Sequence, residues 1–413
     1  MKEKLIIKNF GPIRSVELDL GKINILIGKQ ATGKSTIAKV LAVCRYFSYI
    51  IDVRVLEMFE TSFYTGLVDW GLKDFLYENS YWYYENKDYS LEVQVKEEET
   101  YYLREEFDKG SDFPLYIELF TPKLSAKSYK FKKLLDDFYE IQPKSTGIVG
   151  LIESSYWLIP TSFLTNQVKK VMDNPFYFPT ERGLQSIFSL GKSSIQNLSD
   201  ALFNQLSDLD SIASIYKSET LIEPLGIYYK NENGRGYIAE KNGINEYHSL
   251  ANGASGYQST IPIVLTVKYY NEIERRKRTF IIEEPEQNLF PTAQKALVEF
   301  LVSTVNEYDN TFLLPTHSPY IISALNNLIS AHRVGQKKPE EINKIIDKKY
   351  WISIDDVSAY RLYFDEKSGG IISGNLVLED LKEISVDYLD EISATINKEW
   401  DRILDAEDED EKS

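Results

Sequence analysis

At 413 residues the chain exceeds one ordinary domain and can bury a large core without disulfides or structural metals. With 43% hydrophobic and 27% charged residues, and no apolar run of 18, it reads as a soluble globular protein without a spanning helix or membrane partner. The single Cys44 and the scattered His248, His317 and His332 exclude a disulfide framework, a Cys-rich zinc site and a His-based metalloenzyme. Met1–Leu5 passes straight into strand-like sequence without the apolar stretch of a signal peptide, so a cytoplasmic location is expected. The net charge is −16, of which Asp405–Ser413 supplies −5. The remaining −11 disfavours loose adherence to nucleic acid, which needs many Lys/Arg–phosphate contacts. The basic clusters at Lys127, Lys130, Lys132 and Lys133 and at Arg275–Arg278 read as solvated faces.

In chain order, three short strands are predicted first, over Leu5–Phe10, Val16–Leu20 and Ile23–Ile27, with Gly11-Pro12 and Gly21 as punctuation. A helix follows from Ser35 to about Tyr49, with Ile37, Val40, Leu41 and Cys44 on one face. Residues 46–172 differ in texture. Aromatics crowd segments such as Tyr81–Tyr84, charges are frequent, and no heptad persists, which predicts an inserted, mainly helical lobe with its own small aromatic core. A base-stacking platform is the alternative reading of those aromatics.

Regular α/β texture returns at Phe176–Phe178. A meander is predicted over Gly226–Lys230, Gly236–Glu240 and Glu246–His248, with turns at Asn231–Gly234 and Asn242-Gly243. Next come a helix from about Gln258, a strand at Thr279–Ile282, a helix from Thr292 to Asn306 and a strand at Thr311–Leu314. The C-terminal part reads as a Tyr360–Phe364 strand, a Gly369–Ser373 turn and an amphipathic helix, Leu376–Leu404, before an acidic tail too charged to pack.

The strongest chemical signal is Gly28-Lys29-Gln30-Ala31-Thr32-Gly33-Lys34-Ser35, followed by Thr36, which fits G-x-x-x-x-G-K-[ST] between a buried strand and a helix. Such a loop curls so that backbone N–H groups and the helix N-terminus face phosphate oxygens. Lys34 then sets a cation beside the β- and γ-phosphates, and Ser35 offers a hydroxyl to Mg²⁺. The second signal is Phe280-Ile281-Ile282-Glu283-Glu284, a buried strand that ends in two carboxylates. Adjacent acids diverge from a strand, so two roles are expected: Glu283 toward Mg²⁺ and Glu284 toward the attacking water. The third is Thr311–Leu314 leading into Pro315-Thr316-His317, which places a histidine within reach of a γ-phosphate.

These residues carry a resemblance. The order of phosphate loop, Ser-Gly segment, Glu-Glu strand and His strand resembles the ABC-type ATPase heads of the SMC/RecF superfamily, as does the opening Ile6–Ile13. Phe178–Arg182, Ala254–Ser259, Glu283–Pro291 and Thr316–Pro319 are similar to a bacterial branch of stand-alone "AAA family" ATPases. The resemblance implies an α/β fold, an ABC-type P-loop NTPase head in which an antiparallel β-subdomain joins a mainly parallel RecA-like core, with the inserted lobe between its halves. Residues 1–45 and 173–365 are then the two parts of the head, 46–172 the lobe, and 366–413 the C-terminal helix and tail. It also implies ATP and Mg²⁺ as ligands and a head-to-tail homodimer or higher oligomer, in which Ser255 and Gly256 of one subunit cap the nucleotide of the other.

Tyr257 departs from the family's Leu-Ser-Gly-Gly-Gln, and the family's metal-linking Gln falls on Gln94, Gln142 or Gln185. Arg182 reads either as a phosphate contact or as one half of an ion pair. The branch implies a regulatory ATPase of anti-phage defence, resembling the ATPase subunits of Septu, PARIS or retron systems. Fewer than about 100 residues follow Ser318, near the lower limit of a small domain, so an effector such as a nuclease is expected on a separate chain. A RecF-like repair head binding duplex DNA is the alternative, which the body charge and the lack of a coiled-coil arm disfavour. A transporter ATPase stands third.

Overall fold

The computed structural model describes residues 3–51, 67, 70–77, 79–86, 90–95, 115–120, 175–188, 200–240, 246–386 and 397–403. The chain opens with β1 (Glu3–Phe10), β2 (Ile13–Leu20) and β3 (Ile23–Gly28), followed by α1 (Lys34–Ile51). Leu5, Ile7 and Phe10 of β1 are buried while Lys8 is exposed, the period-2 pattern of a sheet packed on one face. β3 is buried along Ile23–Ile27 because it lies at the centre of the sheet, covered on both sides.

Further strands are β4 (Tyr81–Glu85), β5 (Ser90–Val95), β6 (Leu115–Phe120) and β7 (Phe176–Phe178). After the short α2 (Gln185–Phe188) and α3 (Asp200–Ala213) come β8 (Thr220–Ile222), β9 (Ile227–Glu232), β10 (Arg235–Glu240) and β11 (His248–Ser249). The core is completed by α4 (Ser255–Lys268), β12 (Thr279–Ile282), α5 (Pro291–Tyr308), β13 (Thr311–Thr316) and α6 (Pro319–Gly335). The helix α7 (Pro339–Asn343) precedes β14 (Val357–Asp365), β15 (Gly370–Asn375), β16 (Val377–Leu378) and β17 (Glu383–Ile384).

One sheet of eleven strands runs in the order β6-β5-β4-β1-β2-β15-β14-β3-β13-β12-β7. From β14 through β3, β13 and β12 to β7 all neighbours are parallel, while β6-β5-β4-β1-β2 are antiparallel. This is the antiparallel subdomain joined to a parallel core that an ABC-type P-loop head requires. The parallel strands divide two hydrophobic cores. Leu26, Ile281 and Leu313 face Ile37, Leu41 and Cys44 of α1. Their neighbours Ile25, Ile27, Phe280, Ile282, Phe312 and Leu314 face Leu297 and Leu301 of α5 and Ile322 and Leu325 of α6. A separate sheet, β11-β10-β9-β8, packs Ile222, Ile227 and Tyr229 against Ile261 and Leu265 of α4. Its β9–β10 turn is Asn233-Gly234, both left-handed at φ 52° and 78°, the hairpin form that the sequence predicts.

Three expectations need correction. Within 46–172, the strands among the described residues extend the head's own sheet. β4 pairs with β1, and Trp82 and Tyr84 lie in the head core beside Phe10 rather than in a core of their own. The helix α1 also continues to Ile51, and most of the lobe lies outside the described residues, as do Asn242-Gly243 and the acidic tail. Gly369–Ser373, expected as a turn, enters the strand β15 from Gly370 onward, because Ile371 and Ile372 complete the ladder between β14 and β2. Leu376–Leu404 begins as the β16–β17 ladder instead of a helix. Leu376 and Ile384 drop into the α5/α6 core, and the Asn326 side chain both donates to and accepts from the Ile384 backbone. Among the described residues that follow, 397–403 are helical.

Candidate nucleotide-binding site

β3, β12 and β13 run parallel and adjacent, so the segments that leave their C-terminal ends converge on one edge of the sheet. In open α/β sheets that edge is where ligands bind. The phosphate-loop motif Gly28–Thr36 runs from the last residue of β3 through a loop into the first turn of α1. Ala31 and Gly33 take left-handed backbone, φ 62° and 76°, which curls the chain ahead of α1. Thr32 braces the curl by donating Oγ1 to the Lys29 carbonyl at 2.7 Å. Lys34 is buried, with Nζ donating to the Gly28 and Lys29 carbonyls at 2.9 and 3.0 Å. Burial lowers its pKa, while the charges of Glu284, Glu286 and Glu283 act in the opposite sense. Lys29, Gln30, Ala31 and Ser35 are exposed, and Thr32 and Thr36 are buried.

The carboxylates come from β12. Glu283 is buried at the strand end, where the Tyr177 hydroxyl of β7 donates to Oε1 at 2.5 Å. Burial, then the Glu283 charge, raises the Tyr177 pKa well above its ordinary value, so the phenol remains a donor. Glu284 stands in the left-handed region at φ 43°, with its N–H bonded to the Pro315 carbonyl at 2.8 Å. His317 follows β13; its Nε2 lies 3.8 Å from Glu284 Oε1, and its backbone N–H donates to Glu286 Oε1 at 2.6 Å. The structure therefore brings together Lys34, Glu283, Glu284 and His317. It adds Tyr177 and Glu286, whose roles no motif spacing reveals.

Arg182 fits neither expected part. Its fully buried guanidinium donates to four backbone carbonyls: Pro179 at 3.1 Å, Ser259 at 2.9 Å, Glu283 at 2.7 Å and Glu284 at 2.8 Å. Burial brings its pKa down to about 10, so it stays charged at neutral pH. Of the three glutamines, Gln142 lies outside the described residues and Gln94 sits on β5 at the antiparallel end of the sheet. Gln185 is buried on the segment that follows β7, beside the acid-bearing strand.

The helix α4 begins at Ser255, three residues earlier than expected, which puts Ser255 and Gly256 in its first turn, where amides have no intrahelical partner. Ser255 is exposed. Gly256 is buried where a Cβ would lie 2.7 Å from the Asn288 carbonyl, so the helix touches the acid loop as only glycine permits. A separate cavity of about 370 Å³ opens beside the phosphate loop, lined by Asn9, Arg14, Tyr77 and Gly370 among others. Pro12 and Ile13, on its wall, are also the side chains nearest Gly33. Among the described residues no cluster of three His, Cys, Asp or Glu could hold a metal by itself, and no helix is long and apolar enough to cross a membrane.

A phosphate loop, a buried lysine and a carboxylate pair on neighbouring parallel strands define a P-loop nucleotide-binding head of the ABC type. The chain belongs to the AAA_15 family, described as an AAA ATPase domain, whose model matches residues 1–148 and 72–322. No curated protein matches it. Among solved structures it is similar to the SMC head domain from Thermotoga maritima, at 10% identity and TM-score 0.41, covering 92% of this chain and 100% of that one. It is also similar to the Smc head domain with an extended coiled coil bound to the C-terminal domain of ScpA, derived from Pyrococcus furiosus. The identity there is 9% and the TM-score 0.42, with 95% and 99% of the two chains covered.

Proposed function

We propose that this ATPase binds ATP with Mg²⁺ at the phosphate loop and hydrolyses its terminal phosphoanhydride. The carrying observation is Lys34, buried at the ends of the central strands with Glu283, Glu284 and Glu286 acting on it. The donor chemistry suits both ligands. The curled loop, the α1 N-terminus and the Lys34 ammonium favour phosphate, and the Ser35 hydroxyl and Glu283 carboxylate are hard oxygen donors of the kind Mg²⁺ takes. Mg²⁺, held by Ser35 and Glu283, would offset charge on the β- and γ-phosphates.

Lys34 gives up its two carbonyl contacts for phosphate oxygens. Glu284 orients a water and takes its proton as the water oxygen bonds to the γ-phosphorus; the bond to the β–γ bridging oxygen breaks and ADP leaves. His317 supplies a hydrogen bond to the γ-phosphate. The cavity beside Pro12 and Ile13 receives the nucleoside end. Two chains associate head to tail, with Ser255 and Gly256 of each closing over the other's γ-phosphate through the open amides of α4.

The biological reading is a nucleotide-gated sensor or scaffold in the bacterial cytoplasm, serving anti-phage defence with a separate effector. It is supported by the motif resemblance. Calorimetry with ATP, and phosphate release with and without Mg²⁺, test the chemistry; no ATP binding would overturn it. Genes beside the locus test the role. A nuclease or reverse transcriptase is expected there, whereas replication genes would favour repair and a permease transport.

A further inference from the structure

Arg182 is fully buried, and among the described residues no hydrogen bond joins it to a carboxylate; four of its five N–H groups are spent on backbone carbonyls. Taking a guanidinium out of water is unfavourable unless its donors are met, and here the four that are met have main-chain partners. The four carbonyls belong to three separate segments. Pro179 follows β7, Glu283 and Glu284 follow β12, and Ser259 lies in the second turn of α4. The fork therefore joins the acid pair to the helix that begins with Ser255 and Gly256. Two contacts reinforce the same joint: Ser259 Oγ donates to the Gln287 carbonyl at 2.9 Å, and Gly256 lies against Asn288.

Glu284 gives the joint its chemical meaning. Its left-handed φ of 43° is uncommon for a residue with a Cβ and persists only where the surroundings impose it. Both sides of the residue are held, the N–H by Pro315 of β13 and the C=O by Arg182 Nη2. The direction of the Glu284 side chain follows from that backbone. A shift of about 1 Å in a catalytic group can slow a reaction roughly 100-fold.

We propose that Arg182 is a positioning residue for hydrolysis: it fixes the backbone of Glu284 and ties the acid pair to the first turns of α4, so that the base and the Ser255–Gly256 segment move as one body. The proposal rests on the reading of Glu284 as the base. Arg182 itself touches no nucleotide. A change here acts on turnover rather than on ATP affinity, which comes from Lys34 and the loop. Arginine suits the joint best, because its fork reaches three segments at once, whereas lysine offers its donors from one point and can meet only some of them.

The test compares Arg182→Met, Arg182→Lys and Glu284→Gln in the full chain, measuring ATP Kd by calorimetry and phosphate release at saturating ATP. Arg182→Met is expected to bind ATP within about threefold of wild type while kcat falls about 10- to 100-fold. Arg182→Lys should recover part of that loss. A Kd that weakens in step with kcat makes Arg182 structural and overturns the proposal. So does a failure of both Arg182 variants to bind ATP while Glu284→Gln binds it. A wild-type rate in Arg182→Met with Glu284→Gln slow removes the proposal alone. A wild-type rate in Glu284→Gln removes the base reading beneath it.

Discussion

Lys34 donates to two carbonyls of its own loop, and the charges of Glu284, Glu286 and Glu283 act on it; in the proposed reading this ammonium turns to the nucleotide phosphates. Lys34→Ala is therefore expected to abolish ATP binding in calorimetry; unchanged affinity would remove the central claim. The two acids separate in the structure, just past the end of β12 and with Glu284 in left-handed backbone rather than by strand alternation: Glu283 is buried under the Tyr177 hydroxyl, and Glu284 is half-buried beside His317. Glu284→Gln is expected to keep ATP while hydrolysis falls by about two to four orders of magnitude, the range for lost general-base help. Glu283→Gln should instead lose Mg²⁺ dependence. If Glu283→Gln alone is inactive and Glu284→Gln turns over normally, the two roles are exchanged. Sequence made these residues legible because a phosphate loop and a strand ending in acids are local patterns. Tyr177, Glu286 and the four-carbonyl grip of Arg182 were not legible, since each depends on which strand lies next to which.

At the scale of elements, β3, β12 and β13 were readable because each is a short, mainly apolar run between turn signals, the mark of a parallel strand buried on both faces. Leu376–Leu404 misled for the opposite reason. Its helical spacing is real, but Leu376 and Ile384 gain more by entering the α5/α6 core as strand ends, a tertiary effect that periodicity does not register. The start of α4 was placed late because Ala254, its N-cap, gives no side-chain capping signal. Its contact with the acid loop depends on Gly256. Gly256→Ala would set a Cβ 2.7 Å from the Asn288 carbonyl, and main chain cannot swing aside as a side-chain tip can. The helix and the acid loop must part. The expected result is destabilisation of about 1–3 kcal/mol, the usual range for overpacking, together with slower hydrolysis and preserved ATP binding. Thermal unfolding and phosphate release measure the two, and an unchanged Tm would mean that this junction is slack.

For the whole molecule, the sheet sets the phosphate loop and the acid pair on one edge, while Ser255 lies exposed at the start of a helix tied to that same edge through Arg182 and Gly256. A chain so built carries a loop that receives a nucleotide and a helix end whose free amides suit a γ-phosphate, and in the proposed dimer the two serve different nucleotides. Activity per subunit should then rise with enzyme concentration and level off once dimers dominate. Mixing gives the sharper test. Lys34→Ala leaves the helix end intact but spoils the loop, whereas Ser255→Arg leaves the loop intact but blocks the helix end with a bulky cation. Each variant alone should be inactive. A heterodimer of the two holds one composite site with an intact loop from one chain and an intact Ser255 from the other, so part of the wild-type activity should return on mixing. Its second site has both defects and contributes nothing. Activity that stays absent, with heterodimers demonstrated by differently tagged chains, would show that each nucleotide is served by its own chain and would remove the head-to-tail arrangement.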